Sequence, residues 1–169
     1  MSVRWLRALL TAGTIVATVS CSPSPTSSTL TSADRTAAYA RAVTAARASA
    51  DEQLHDGRLD EAAVDLERAL AIPRPDSDSA KQLAQDVAFA LGSVRLAARD
   101  THGAMKAADE GLVLSSTPSV FLANLHALRG MALELSGEAV SAAEAYHDAL
   151  LIHQRLYDAL LATNSGSPT

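Results

Sequence analysis

One cysteine, five histidines and a scatter of acidic pairs are the residues with chemistry to offer. Cys21 is the single thiol, so no intrachain disulfide can form. His147 and His153 stand six apart, which turns them to different faces of a helix. Zinc-binding pairs use a spacing of three or four. His55, His102 and His126 have no Cys or His ligand beside them and read as surface or groove side chains. The pairs Asp51–Glu52 and Asp109–Glu110 are adjacent, so on a helix they diverge toward water. There is no glycine-rich phosphate loop, nucleophile elbow or His-Glu-x-x-His metal motif. The residues therefore propose no reaction, no metal and no cofactor, and the expectation is a protein that is not an enzyme.

Around Cys21 the pattern is specific. Met1–Arg7 is short and basic, and Ala8–Val19 carries no charge. That run matches the apolar core of a secretory signal and is too short to cross a bilayer comfortably. It ends in Thr18–Val19–Ser20–Cys21, which resembles the lipobox of bacterial lipoproteins, with Thr18 standing where that family usually has Leu. The resemblance implies a signal peptide over 1–20, lipidation of Cys21 and attachment to the extracytoplasmic face of the cell membrane. Residues 21–32, rich in Ser, Thr and Pro, have Leu30 as their sole large apolar side chain and read as a tether. An ordinary secretory signal with an incidental cysteine, giving a secreted protein, is the alternative.

Composition restricts what the rest can be. Hydrophobic residues make up 48% of the 169 but aromatics only 4%, so Ala and Leu must fill the interior. Alanine is the best helix former and lets helices approach closely, which points to an all-α fold. The net charge is −5; without Arg4 and Arg7 the remainder carries 12 basic against 19 acidic residues, or −7. Nucleic-acid binding needs clustered Lys and Arg, so no nucleic-acid partner is expected.

About six helices are predicted. The first covers Ala33–Asp56, with Thr31 or Ser32 as its cap and Ala38, Ala42, Ala45, Ala46 and Ala50 at helical spacing. Gly57 breaks it, and the second starts at Leu59 and ends before Pro73 and Pro75. Asp76 and Asp78 are cap candidates for a third helix over about Ala80–Arg99, striped by Leu83, Val87, Leu91, Val94 and Ala98. Thr101–Gly103 reads as a break before the fourth. Thr117 as cap with Pro118 at the first helical position opens the fifth, which carries Phe121, Leu122, Leu125, Leu128, Ala132 and Leu135. The last runs to about Ala162, with Ala142, Tyr146, Ala149, Ile152, Leu156 and Leu160 inward. The helical domain is thus 33–163, and 164–169 is a polar, disordered tail.

These helices repeat in pairs. Ala50, Gly92 and Gly130 each precede a turn residue (Gly57, Arg99, Gly137), then a small residue (Ala62, Ala104, Ala142), then Ala69, Gly111 or Ala149 followed by a leucine. This pattern resembles the tetratricopeptide repeat family in a degenerate, long-helix form over about residues 43–155. The resemblance implies three antiparallel helical hairpins stacked as a short right-handed solenoid; a generic six-helix bundle is the alternative.

It also implies a protein-binding groove lined by the first helix of each unit. The groove residues would be Thr44, Arg47, Asp51 and His55, then Asp86, Phe89 and Ser93, then Asn124, Met131 and Glu134. Arg47 and Asn124 fall at places resembling the family's carboxylate clamp, with Asp51 where an Asn is usual. The function expected is that of a membrane-anchored, non-catalytic lipoprotein that binds a protein or peptide in the cell envelope. A self-associating structural module, forming a homo-oligomer, and an accessory or regulatory domain for an envelope enzyme are the alternatives.

Overall fold

The computed structural model describes residues 31–165, all of them helix, turn or linker, with no strand among them. The signal segment 1–20, Cys21 and its lipid, the tether up to residue 30, and residues 166–169 of the tail lie outside the described residues. Six helices follow one another: α1 (Ser32–His55), α2 (Leu59–Leu70), α3 (Asp78–Ala97), α4 (Thr101–Leu112), α5 (Val120–Leu135) and α6 (Ala139–Ser165). The all-α expectation holds. Turns at 56–58, 98–100 and 136–138 alternate with longer linkers at 71–77 and 113–119.

Local chemistry sets the helix starts. Thr31 Oγ1 accepts from the Asp34 amide at 3.1 Å while the Asp34 carboxylate accepts from the Thr31 amide, a reciprocal cap that satisfies two orphan donors. Ser77, not Asp76 or Asp78, caps α3, through Oγ to the Ala80 amide; the two aspartates face Lys81 instead. Ser119 caps α5, accepting from the Leu122 amide at 3.1 Å, so Thr117 and Pro118 stay outside the helix. The expected break at Thr101–Gly103 is the first turn of α4, capped by Asp100, whose carboxylate accepts from the Gly103 amide at 2.8 Å. A Cβ on residue 103 would overlap that carboxylate. This glycine makes room for a cap and breaks nothing.

The three hairpin turns close alike. Gly57, Arg99 and Gly137 all have φ between +62° and +82°. The next amide reaches back to the last turn of the helix in each case, Arg58 to Gln53, Asp100 to Arg95 and Glu138 to Leu133. Arg99 is the one non-glycine there, and its Cβ makes that conformation cost about 1 kcal/mol. Arg99→Gly is therefore expected to stabilise the protein by up to about 1 kcal/mol, read as a higher urea midpoint; an unchanged or lower midpoint would show that the turn carries no such strain.

Packing follows chain order. Each helix touches the next, α1 also touches α3, and α3 touches α5, whereas α2 does not meet α4 nor α4 meet α6. The small residues predicted at the crossings are buried: Ala50, Ala62, Ala69, Ala104, Ala142 and Ala149. At Gly111 a Cβ would come within 2.8 Å of both Leu125 methyls, and at Gly130 within 2.7 Å of the Tyr146 ring. Around these contacts Leu66, Leu125, Leu128, Val87 and Val94 are fully buried, each burial contributing roughly 1.5–3 kcal/mol. Gln85 is the one fully buried polar side chain among the described residues; its amide donates to the Ser115 carbonyl at 3.0 Å and to that of Gly111 at 3.4 Å.

Some side chains of the apolar stripes are not in the interior. Leu160, expected inward, is exposed, as are Leu135 and Ala98 of the apolar stripes on α5 and α3. On α1 the exposed position of Ala38 is as expected, Ala42 and Ala45 are exposed with it, and the buried residues are Tyr39, Val43 and Ala50. Asn164 and Ser165 belong to α6, not to a tail. Helix periodicity places a residue on a stripe, but a stripe is buried only where another helix covers it.

Candidate functional site

The predicted groove face is carried by α1, α3 and α5. Arg47 lies across the α1–α3 seam: Nη1 donates to the Asp86 carboxylate at 3.1 Å and to the Asp86 carbonyl at 3.2 Å, and Nε stands 3.5 Å from Asp51. Arg47 is thus matched by two carboxylates of its own chain. On α3, Ser93 Oγ donates to the Phe89 carbonyl at 2.8 Å, so its hydroxyl is engaged within its own helix. Phe89 and Asn124 are half-buried, and Met131 is 38% exposed. His55 is exposed as the last residue of α1, and Thr44 is exposed one turn before Arg47.

Glu134 accepts from the Tyr146 hydroxyl at 2.8 Å, which ties α5 to α6. Burial, the hydrogen bond to Glu134 and that residue's charge push the Tyr146 phenol up to about 12. The structure therefore brings together Arg47, Asp51 and Asp86, separately Phe89 and Ser93, and separately Glu134 and Tyr146. No hydrogen bond or ion pair joins Arg47 to Asn124 among the described residues. None of five clefts resolved among the described residues is lined by any of the ten groove residues.

Two of those clefts carry features that sequence reading missed. One, of about 400 Å³, lies between the end of α4, α5 and α6 and holds His126, Asp148, Arg155 and Ser116 over Leu122 and Ile152. His126 Nδ1 is 3.6 Å from Asp148 Oδ2, too far for a hydrogen bond, and no hydrogen bond joins Ser116 to His126. The set is not a nucleophile–base pair as it stands. Burial lowers the His126 pKa; Asp148 opposes that shift and Arg129 reinforces it. His126 and Asp148 lie on different helices, so nothing in the sequence signalled their meeting.

The other cleft, also about 400 Å³, is apolar and lies where α1 meets the α2–α3 linker, over Ala38, Tyr39, Ala42, Ile72 and Pro73, with Arg35 and Arg74 beside it. Neither arginine has an ion-pair partner among the described residues. No group of three His, Cys, Asp or Glu side chains converges on a metal position among the described residues. No helix among them is long and apolar enough to cross a membrane.

The chain matches no family model and no curated protein.

His126 has a measurable consequence. Its folded-state pKa lies below the ordinary 6.5, so the unfolded chain binds the proton first. Its contribution is fully present above pH 6.5 and is lost as pH falls through the folded value. Urea midpoints measured from pH 7.5 down to pH 5 should decline, and His126→Gln should flatten that decline. An equally steep decline in the variant would assign the effect to other groups.

Proposed function

We propose that this chain is a lipoprotein anchored through Cys21 on the extracytoplasmic face of the membrane, whose three hairpins form a short tetratricopeptide-like solenoid that binds a protein segment and catalyses nothing. The observation that supports the repeat reading is the threefold recurrence of buried small residues, Ala50, Gly92 and Gly130, then Ala62, Ala104 and Ala142, then Ala69, Gly111 and Ala149. It goes with contacts that run from unit to unit through α1, α3 and α5. In this reading the shared face of those three helices is the binding surface. Phe89 and Met131 are its apolar contacts, Asn124 its hydrogen-bonding group, and the Arg47–Asp86 pair fixes its α1–α3 edge.

Two experiments separate the parts of the proposal. Cys21→Ala should release the protein from membrane fractions or leave it unprocessed; identical fractionation, with a mature N-terminus other than Cys21, sinks the anchor. Phe89→Ala should keep the fold and lose capture of envelope partners, aromatic anchors commonly being worth about 2 kcal/mol or more. A stable Phe89→Ala protein that recovers the same partners sinks the groove.

A further inference from the structure

The two ends of the helix stack each expose a face that the interior of the stack covers. Leu70 and Leu112, in corresponding positions on α2 and α4, pack against neighbouring core residues, Leu112 against the cluster of Leu122 and Ala123 of α5 and Ile152 of α6. The third member of that series, Leu150 on α6, is 63% exposed. Seven and eleven residues on, Tyr157 and Leu161 continue its stripe, and both are exposed. At the other end, Ala80, Ala84, Val87 and Ala90 of α3 are buried, as are Leu122, Leu125 and Leu128 of α5. The corresponding side chains of α1 are Ala38, Ala42, Ala45 and Ala48, and all four are exposed. The second helix of a unit packs on the first helix of the next at α2–α3 and again at α4–α5. No described helix precedes α1 and none follows α6.

We infer that a second copy of this chain covers these faces, α6 of one molecule packing on α1 of the next as α2 packs on α3 and α4 on α5. The argument is continuity of an interface the fold already makes twice, and it fixes the register. At α4–α5, Arg129 Nε meets Asp109 Oδ1 at 2.9 Å, and Leu112 packs against the cluster that holds Leu122. Transferred to α6 and α1, the second of these contacts sets Leu150 over Ala42. Two turns further along, Tyr157 and Asp158 then reach Arg35 and the apolar cleft over Ala38, Tyr39 and Ile72. Charge agrees at that end: Arg35 and Arg74 have no ion-pair partner among the described residues, and neither does Asp158. At the opposite end the first contact, transferred likewise, sets His147 by Ser49 and brings Glu144 toward Glu52, a like-charge approach that keeps the contact weak. The contact is heterologous, so each added copy exposes the same two faces again and the product is a chain of molecules, not a closed dimer.

Cysteine cross-linking in intact cells tests this on the full chain. Ala42→Cys and Leu150→Cys are both at exposed positions and leave the fold unchanged. A thiol oxidant should convert the double variant into a ladder of dimer, trimer and longer products. The two single variants co-expressed should give one dimer, joined through residues 42 and 150, and each expressed alone should give no more than the unsubstituted chain. Glu144→Lys added to the double variant should raise the yield several-fold, and Arg35→Glu should lower it. Leu150→Cys alone dimerising as well as the double variant would mean symmetric α6 pairing and overturn the inference. A disulfide from residue 42 to Cys21 of the same chain would put the N-terminal segment on α1, and it overturns the inference as does the absence of any product.

Discussion

Leu128→Ala is expected to cost about 3 kcal/mol, within the 2–5 kcal/mol span of buried leucine truncations. For a domain of this size that lowers the Tm by roughly 10 °C. Leu128 has no exposed surface and stands in the middle of α5, where α5 crosses α3. Its partner in the crossing is an absence of side chain: a Cβ on Gly92 would overlap Leu128 Cδ2 and come within 3.3 Å of the Ala104 carbonyl. Gly92→Ala should therefore destabilise as well, by about 1–3 kcal/mol, because the crowding outweighs alanine's gain of about 1 kcal/mol in helix propensity. The two changes share one space, so they should not add. Gly92→Ala combined with Leu128→Val should cost less than the sum of the two single changes by about 1 kcal/mol, a coupling that residues in contact commonly show. Strict additivity across that cycle, measured by urea denaturation, would mean that the two residues do not meet.

What the sequence made legible here was what one helix can say about itself. Gly57 and Gly137 marked turns because only glycine takes a left-handed conformation without cost. Arg99, in the same conformation, was placed by its spacing alone. Thr117–Pro118 satisfied every local rule for a helix start, yet the helix begins at Val120. The amide of Gln85, thirty residues away, holds the Ser115 carbonyl and so keeps the linker extended past Pro118 to the Ser119 cap. Gly103 looked like a break because its partner, the Asp100 carboxylate, acts through space that a side chain would fill. The residues assigned to the groove are not a set of free groups. Arg47 spends its charge on Asp86 and Asp51, and Glu134 is held by Tyr146. Such pairings cross between helices, and periodicity has no means of reporting them. The His126–Asp148 cleft escaped for the same reason, and Leu160 was assigned inward because a stripe continues whether or not a neighbour remains to cover it.

Ala142→Leu and Ala62→Leu should each destabilise by about 2 kcal/mol, while Ala38→Leu should stay within about 0.5 kcal/mol of the parent. The three substitutions add the same carbons to a helix, so intrinsic propensity, which differs little between alanine and leucine, cannot separate them. Space can. Ala62 has no exposed surface on α2, and Ala142 is buried on α6 beside Leu133 and Ala145, with Met105 and Tyr146 packed around them. Neither site has room for an isobutyl group unless a whole helix shifts. Ala38 lies exposed on α1 at the edge of the open cleft beside Ile72 and Pro73, where added bulk has room. Ala62 and Ala142 also hold the same place in the first and third hairpins, so similar losses at both are what a repeated crossing requires. A large loss at one and none at the other would mean that the likeness of spacing does not extend to packing. Comparable small effects at all three sites would remove the close helix approach on which the repeat reading depends.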